Sequence, residues 1–179
     1  MKGYKLTFIF LFFLPFTSFA APHFGTTLSY VAIAKEPTPL HGYQFLFNYD
    51  PELTIAKQWS IYFDGGLTHL WVPGTSQHST INIYTLAPVL RCTLFVRDQF
   101  TPYLDLSIGL AYLNHTWLGN RNLGLHFAFQ DRIGIGALLG KMQQFSIGLH
   151  AMHYSNASLS SHNSGITIPL TIDVGYRFQ

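Results

Sequence analysis

The stretch Ile166-Thr167-Ile168-Pro169-Leu170-Thr171-Ile172-Asp173-Val174-Gly175-Tyr176-Arg177-Phe178 decides the fold. Every second residue, from Ile166 through Leu170 and Val174 to Phe178, is apolar. Thr167, Pro169, Thr171, Asp173, Gly175 and Arg177 lie between them. Side chains of an extended chain alternate between two faces. The pattern therefore predicts a strand with one apolar face and one polar face. Phe127, Phe129, Ile133 and Ile135 alternate in the same way with Ala128, Gln130, Arg132 and Gly134. Leu104, Leu106, Ile108, Leu110 and Tyr112 alternate with Asp105, Ser107, Gly109 and Ala111.

Extending this reading along the chain gives eight segments, at 24–34, 41–53, 57–71, 79–97, 100–114, 124–139, 143–155 and 166–178. Turn-forming residues separate them, among them Pro37, Pro39, Asp98-Gln99, Gly119-Asn120 and Gly140-Lys141. The fourth segment is the least regular, with Pro88 inside it. Aromatic residues make up 16% of the chain and charged residues only 10%, against about a quarter charged in an ordinary soluble domain. Past the first twenty residues no apolar run is long enough for a membrane helix. These features together predict an all-β fold, an eight-stranded antiparallel transmembrane β-barrel of the outer membrane. Asp64, Arg91, Asp105, Arg132, Asp173 and Arg177 fall on the polar phase and are expected to pair inside it, because eight strands leave an interior filled by side chains. That also disfavours a small-molecule pore. Asp131 is the one acid on an apolar phase.

Residues 1–20 read as a signal peptide: Lys2 and Lys5, an apolar run from Leu6 to Phe16, then Ser18-Phe19-Ala20. Residues 21–179 are then the barrel. Removing Lys2 and Lys5 from ten basic residues leaves eight, equal to the eight acids, so nucleic acid is not an expected partner. Cys92 is the single cysteine, so no intrachain disulfide and no cysteine metal site is expected; it reads as a small apolar barrel residue. The histidines lack paired metal-ligand spacing on a helix. His126 and His150 fall on lumenal phases, while His69, His78, His115 and His162 suit loops or interfaces. Trp59, Trp71 and Trp117 suit interfacial belts.

The chemistry concentrates in the seventh segment. Phe145, Ile147, Leu149, Ala151, His153 and Ser155 share one phase, apolar at first and so directed at lipid. Residues two apart on a strand lie about 6.5–7 Å apart on one face. A histidine there can approach a serine hydroxyl and take its proton. With both termini at the periplasmic end, Ser155 falls at the extracellular end, near ester-linked lipid. By itself a His-x-Ser pair is a weak motif, equally suited to solvating a membrane rim.

The longer string His153-Tyr154-Ser155-Asn156-Ala157, followed by Asn163 and Gly165, resembles the lipid A 3-O-deacylase family (PagL-type, acyloxyacyl hydrolases). Phe129-Gln130-Asp131-Arg132-Ile133-Gly134-Ile135-Gly136 is similar to that family too. The resemblance extends over all eight segments and is most specific over residues 125–178. It implies a small outer-membrane barrel that removes the 3-position acyl chain of lipid A (lipopolysaccharide) without a cofactor. By motif it implies Ser155 as nucleophile, His153 as general base and Asn156 as oxyanion stabiliser. The sequence departs from the family at one point. An acid, usually glutamate, follows the glycine matching Gly165 and orients the histidine; here Ile166-Thr167-Ile168 follow.

Asp131 is the candidate replacement. A tight hairpin closing at residues 139–143 sets Asp131 opposite Ala151 and diagonal to His153, within reach of a long side chain. The alternative is a bulge turning Asp131 inward to an arginine. Phe145, Ile147 and Leu149 are the candidate acyl-chain contacts. Tyr176-Arg177-Phe178 resembles the aromatic ending that outer-membrane proteins present to their barrel-insertion machinery, although Gln179 follows it. The alternative function is a non-enzymatic small barrel with a structural or adhesive role.

Overall fold

The structure, a computed structural model, describes residues 22–74 and 77–178; the expected signal peptide lies outside them. Ten strands follow in order: β1 (His23–Ile33), β2 (His41–Ala56), β3 (Trp59–Trp71), β4 (Thr80–Thr93), β5 (Phe100–Leu113), β6 (Trp117–Leu118), β7 (Arg121–Asn122), β8 (Phe127–Leu139), β9 (Phe145–Ser155) and β10 (Ile166–Arg177). Eight of them close a barrel in the order β1-β10-β9-β8-β5-β4-β3-β2, while β6 and β7 form a small hairpin of their own. All barrel neighbours are antiparallel. Closure leaves no unpaired edge, which is why strands can cross a bilayer that offers the backbone no hydrogen bonds.

The alternation seen in the sequence becomes inside and outside. Leu28, Phe45, Leu86, Ile108, Leu110, Ile133, Ile135, Ile147, Leu149, Ile172 and Val174 are exposed on the outer face. An apolar band running round the outside of a closed barrel is the surface that a transmembrane barrel turns to lipid. Aromatic rings gather at both ends of this belt. Phe24, Phe47 and Tyr49 stack near the termini, and Tyr43, His69 and Trp71 near the far end, as expected of interfacial girdles.

The interior has two parts. The half nearer the termini holds buried charge. Arg91 grips Asp105 with Nε at 2.8 Å and Nη2 at 2.7 Å, Arg132 pairs with Asp64, and His150 Nδ1 lies 2.7 Å from Asp173. This is the expected pairing, with one correction. Arg177 lies too close to the terminal rim to reach these acids and donates instead to the carbonyl of Met142 at 3.0 Å. The far half is an apolar plug that includes Val31, Leu40, Leu70, Ile83, Leu118, Met152, Tyr154, Ile166 and Ile168. His150 is buried in the lumen as expected. His126 is not: it lies before β8, exposed, with Nδ1 2.6 Å from the Leu113 carbonyl.

Two departures in register matter for the site. The turn between β8 and β9 takes residues 140–144, with Leu139 opposite Phe145, so Asp131 faces His153 rather than Ala151. Gly140 (φ 90°) and Gln143 (φ 53°) take the left-handed conformations that this longer turn requires. In β10, pairing with β9 shifts between Ile168 and Thr171. This β-bulge inserts a residue and reverses the phase. The apolar face of the sequence is therefore not continuous: Ile166 and Ile168 turn inward to complete the plug, and Thr167 turns outward.

Candidate active site

Strand β9 ends the membrane-facing belt at the end opposite the chain termini. Its inward residues Met152 and Tyr154 are buried in the plug. The Tyr154 hydroxyl lies 3.1 Å from Thr68 Oγ1 and 3.4 Å from Gln44 Nε2. Tyr154 thus pins the backbone between His153 and Ser155, the two candidate residues. Because faces alternate, His153 and Ser155 are held on the outer surface, both half-buried.

A row of side chains crosses the barrel surface at the level of His153. The ladders set Ile108 opposite Asp131, Asp131 opposite His153, and His153 opposite Thr167. Directly opposed residues have Cβ atoms about 4.5–5.5 Å apart. His153 Nδ1 lies 3.0 Å from Thr167 Oγ1, so Nε2 is the nitrogen left for a reaction partner. Asp131 points outward and is exposed; it is not turned in toward an arginine. Among the described residues it has no hydrogen-bond or ion-pair partner. An apolar groove beside it is lined by Ile108, Ile133, Ala151 and Pro169, with Lys35 and His153 at its polar margin. Phe145, Ile147 and Leu149 lie farther along the same outer face, all exposed.

Ser155 sits at the corner where β9 gives way to the loop. No hydrogen bond joins its Oγ to His153 among the described residues. The two side chains share one face of the strand without a direct hydrogen bond between them. Asn156 is almost fully buried, and its amide is committed: Nδ2 donates to the Leu123 carbonyl at 2.9 Å and the His162 carbonyl at 2.7 Å. Its backbone N–H donates to Asn163 Oδ1 at 2.9 Å. In this conformation Asn156 therefore fastens three chain segments together and offers no spare hydrogen. Ala157 (φ 52°) and Ser158 (φ 62°) follow in left-handed conformations. Such backbone costs about 1–3 kcal/mol per residue and persists only where the surroundings impose it.

Arg121 had no signal in the sequence, whereas Gly165 belongs to the string already singled out there. Arg121, on the small hairpin, donates to the Gly165 carbonyl through Nε at 3.0 Å, to the Ser164 carbonyl, and reaches Glu36 at 3.3 Å. It straps the loop that follows Ser155. Gly165 has φ 61°, and a Cβ there would lie 3.0 Å from His153 Cε1; its missing side chain makes room for the imidazole. Among the described residues no cluster of histidine, cysteine and carboxylate side chains could hold a metal.

Residues 41–177 match the family described as lipid A 3-O-deacylase (PagL). Lipid A deacylase PagL of Pseudomonas aeruginosa is 38% identical over 108 residues, 59% of this chain and 58% of that protein. Lipid A deacylase PagL of Bordetella bronchiseptica is 27% identical over 114 residues, 64% of this chain and 59% of that protein. The matched stretch thus spans less than two thirds of either relative. The crystal structure of the outer membrane enzyme PagL superposes with a TM-score of 0.72 at 25% identity, covering 85% of this chain and 98% of that one.

Proposed function

Because the chain belongs to the lipid A 3-O-deacylase (PagL) family, we propose that this outer-membrane barrel is a serine esterase that hydrolyses the ester-linked 3-position acyl chain of lipid A. The observation that carries the reading is the shared outer face of His153 and Ser155, at the barrel end opposite the termini and beside an apolar groove. With the termini in the periplasm, that end lies in the outer leaflet. A serine and histidine aimed at lipid suit a substrate whose ester bonds sit just beneath a sugar headgroup, and no soluble substrate requires them there.

In the proposed reaction, His153 Nε2 takes the proton of Ser155 as Oγ attacks the ester carbonyl. The tetrahedral intermediate collapses, the sugar oxygen leaves with the proton from His153, and the acyl group remains on Ser155. Water, activated by His153, then releases the fatty acid and restores the serine. The acyl chain lies in the groove by Ile133 and Ala151 and continues along Leu149, Ile147 and Phe145. A hydrogen-bond donor is needed for the oxyanion and contributes about 2.7–4 kcal/mol. We assign it to the Asn156 corner. Asn156 serves by exchanging its bond to the His162 carbonyl, and Asn163, whose side chain is anchored among the described residues through Oδ1 alone, brings a second amide beside it. The aromatic end of β10 is the segment offered to the barrel-insertion machinery.

Lipid A mass spectrometry tests the reading. Cells making the chain should lose one hydroxyacyl mass from lipid A, and cells making Ser155→Ala should not. Identical spectra would favour a non-enzymatic structural or adhesive barrel.

Asp131 acts in this scheme as the carboxylate facing the imidazolium. Unit charges about 5 Å apart in a partly solvated site interact by about 1–3 kcal/mol. Asp131→Asn should therefore lower kcat about tenfold, with the barrel intact. Full turnover and an unchanged pH–rate profile would remove Asp131 from the mechanism.

A further inference from the structure

We infer that Thr167 is the positioning residue of the site, holding His153 in the tautomer and orientation that the serine requires. This rests on the serine-esterase reading and adds to it a group that stands outside the reacting atoms.

The geometry is specific. Thr167 Oγ1 lies 3.0 Å from His153 Nδ1. If the hydroxyl accepts the Nδ1 proton, the lone pair remains on Nε2, where a base for Ser155 needs it. Threonine reaches this position only through the bulge between Ile168 and Thr171. Without that shift, Thr167 would face the lumen and an isoleucine would face His153. The bulge thus re-aims a side chain, a recurrent use of such irregularities.

The threonine is also firmly held. Its carbonyl accepts from Lys35 N at 3.1 Å and Glu36 N at 3.2 Å, and its N–H donates to the Glu36 carbonyl at 2.8 Å. Threonine has few χ1 options, so a clamped backbone fixes the hydroxyl. On the same flank the imidazole also lies against Gly165, where a Cβ would be 3.0 Å from Cε1. A neutral hydroxyl can orient the ring but cannot offset the charge of an imidazolium. The two duties of an orienting carboxylate are here divided. Thr167 on β10 gives direction, and Asp131 on β8, across His153, is placed to give charge.

The test uses the full-length chain refolded in detergent micelles, in two measurements. The first is the steady-state deacylation of purified lipid A by wild type, Thr167→Val, Thr167→Ser and Ser155→Ala. Thr167→Val keeps the branched shape and loses one hydrogen bond. It should lower kcat about tenfold, leave KM within about twofold, and leave the thermal unfolding midpoint unchanged. Thr167→Ser should restore most of the rate. Equal kcat for Thr167→Val and wild type overturns the inference, as does a serine variant as slow as the valine one. The second measurement is nitrogen NMR of the His153 ring near neutral pH. It should find the proton on Nδ1 in wild type and a mixed population in Thr167→Val. A wild-type ring protonated on Nε2 overturns the inference whatever the activity. Activity that survives Ser155→Ala, or is absent from wild type while the Nδ1 tautomer is present, overturns the esterase reading instead.

Discussion

Replacement of His153 by alanine should abolish deacylation, slowing it by about 10³-fold or more, while the barrel folds as before. The size follows from the way a nucleophile and its base act as one unit: a serine hydroxyl without its base is a poor nucleophile at neutral pH, and either loss costs nearly the whole effect. Folding should be spared because His153 stands on the outer face and its side chain hydrogen-bonds only to Thr167 among the described residues. The charged network lies on the opposite side of the wall. The double variant His153→Ala/Ser155→Ala should be no slower than either single one. Single-turnover assays on refolded protein check this; a double variant that is slower by the product of the two effects would mean that the residues do not cooperate.

The largest loss of stability should come from Arg132→Met. Arg132 and Asp64 are both buried and pair inside the barrel. With Arg132 gone, Asp64 keeps, among the described residues, only Asn48 Nδ2 at 2.6 Å as a direct donor. Stripping one partner from a buried ion pair costs about 3–5 kcal/mol, because the remaining charge is uncompensated. The double variant Arg132→Met/Asp64→Leu should recover most of that, since an apolar pair leaves no orphan. Denaturant titration in lipid vesicles measures both. A single variant as stable as wild type, or a double variant no better than the single one, would show that this pair does not support the barrel.

Much of this architecture was legible because a membrane barrel writes its two environments into alternate residues. Leu104 to Tyr112 and Phe127 to Ile135 keep their phase, Asp131 apart, and pair as neighbouring strands in long unbroken register. The outward placement of His153 and Ser155 followed from the same rule applied to Phe145 through Ala151. The rule failed where a segment meets apolar material on both faces. Between Ile166 and Leu170 the inner neighbours form a plug instead of a polar lumen, so an isoleucine suits either side and the alternation hides the bulge; its one sign in the sequence is Pro169, which cannot donate to a ladder. Simple alternation therefore predicts the polar inner face for Thr167, and the bulge puts it on the outer one. Leu94-Phe95-Val96 misled in a similar way: they are apolar and exposed yet lie past the end of β4, in the connection to β5. Asp131 was misplaced by one pair because turn length, not strand pattern, sets hairpin register. The commitment of the Asn156 amide to Leu123 and His162 joins distant loops, which no local pattern encodes.

The apolar stopper at the far end also has a consequence for the cell. Polar space enters the barrel from the terminal side, past Asn48, Ser60 and Arg91, and ends against Leu70, Ile83, Met152 and Ile168. Among the described residues that buried apolar cluster stands between this polar space and the opposite rim. Insertion of many copies into a planar bilayer is therefore expected to add no steady ion conductance, and open-channel steps in such a recording would contradict a sealed far half.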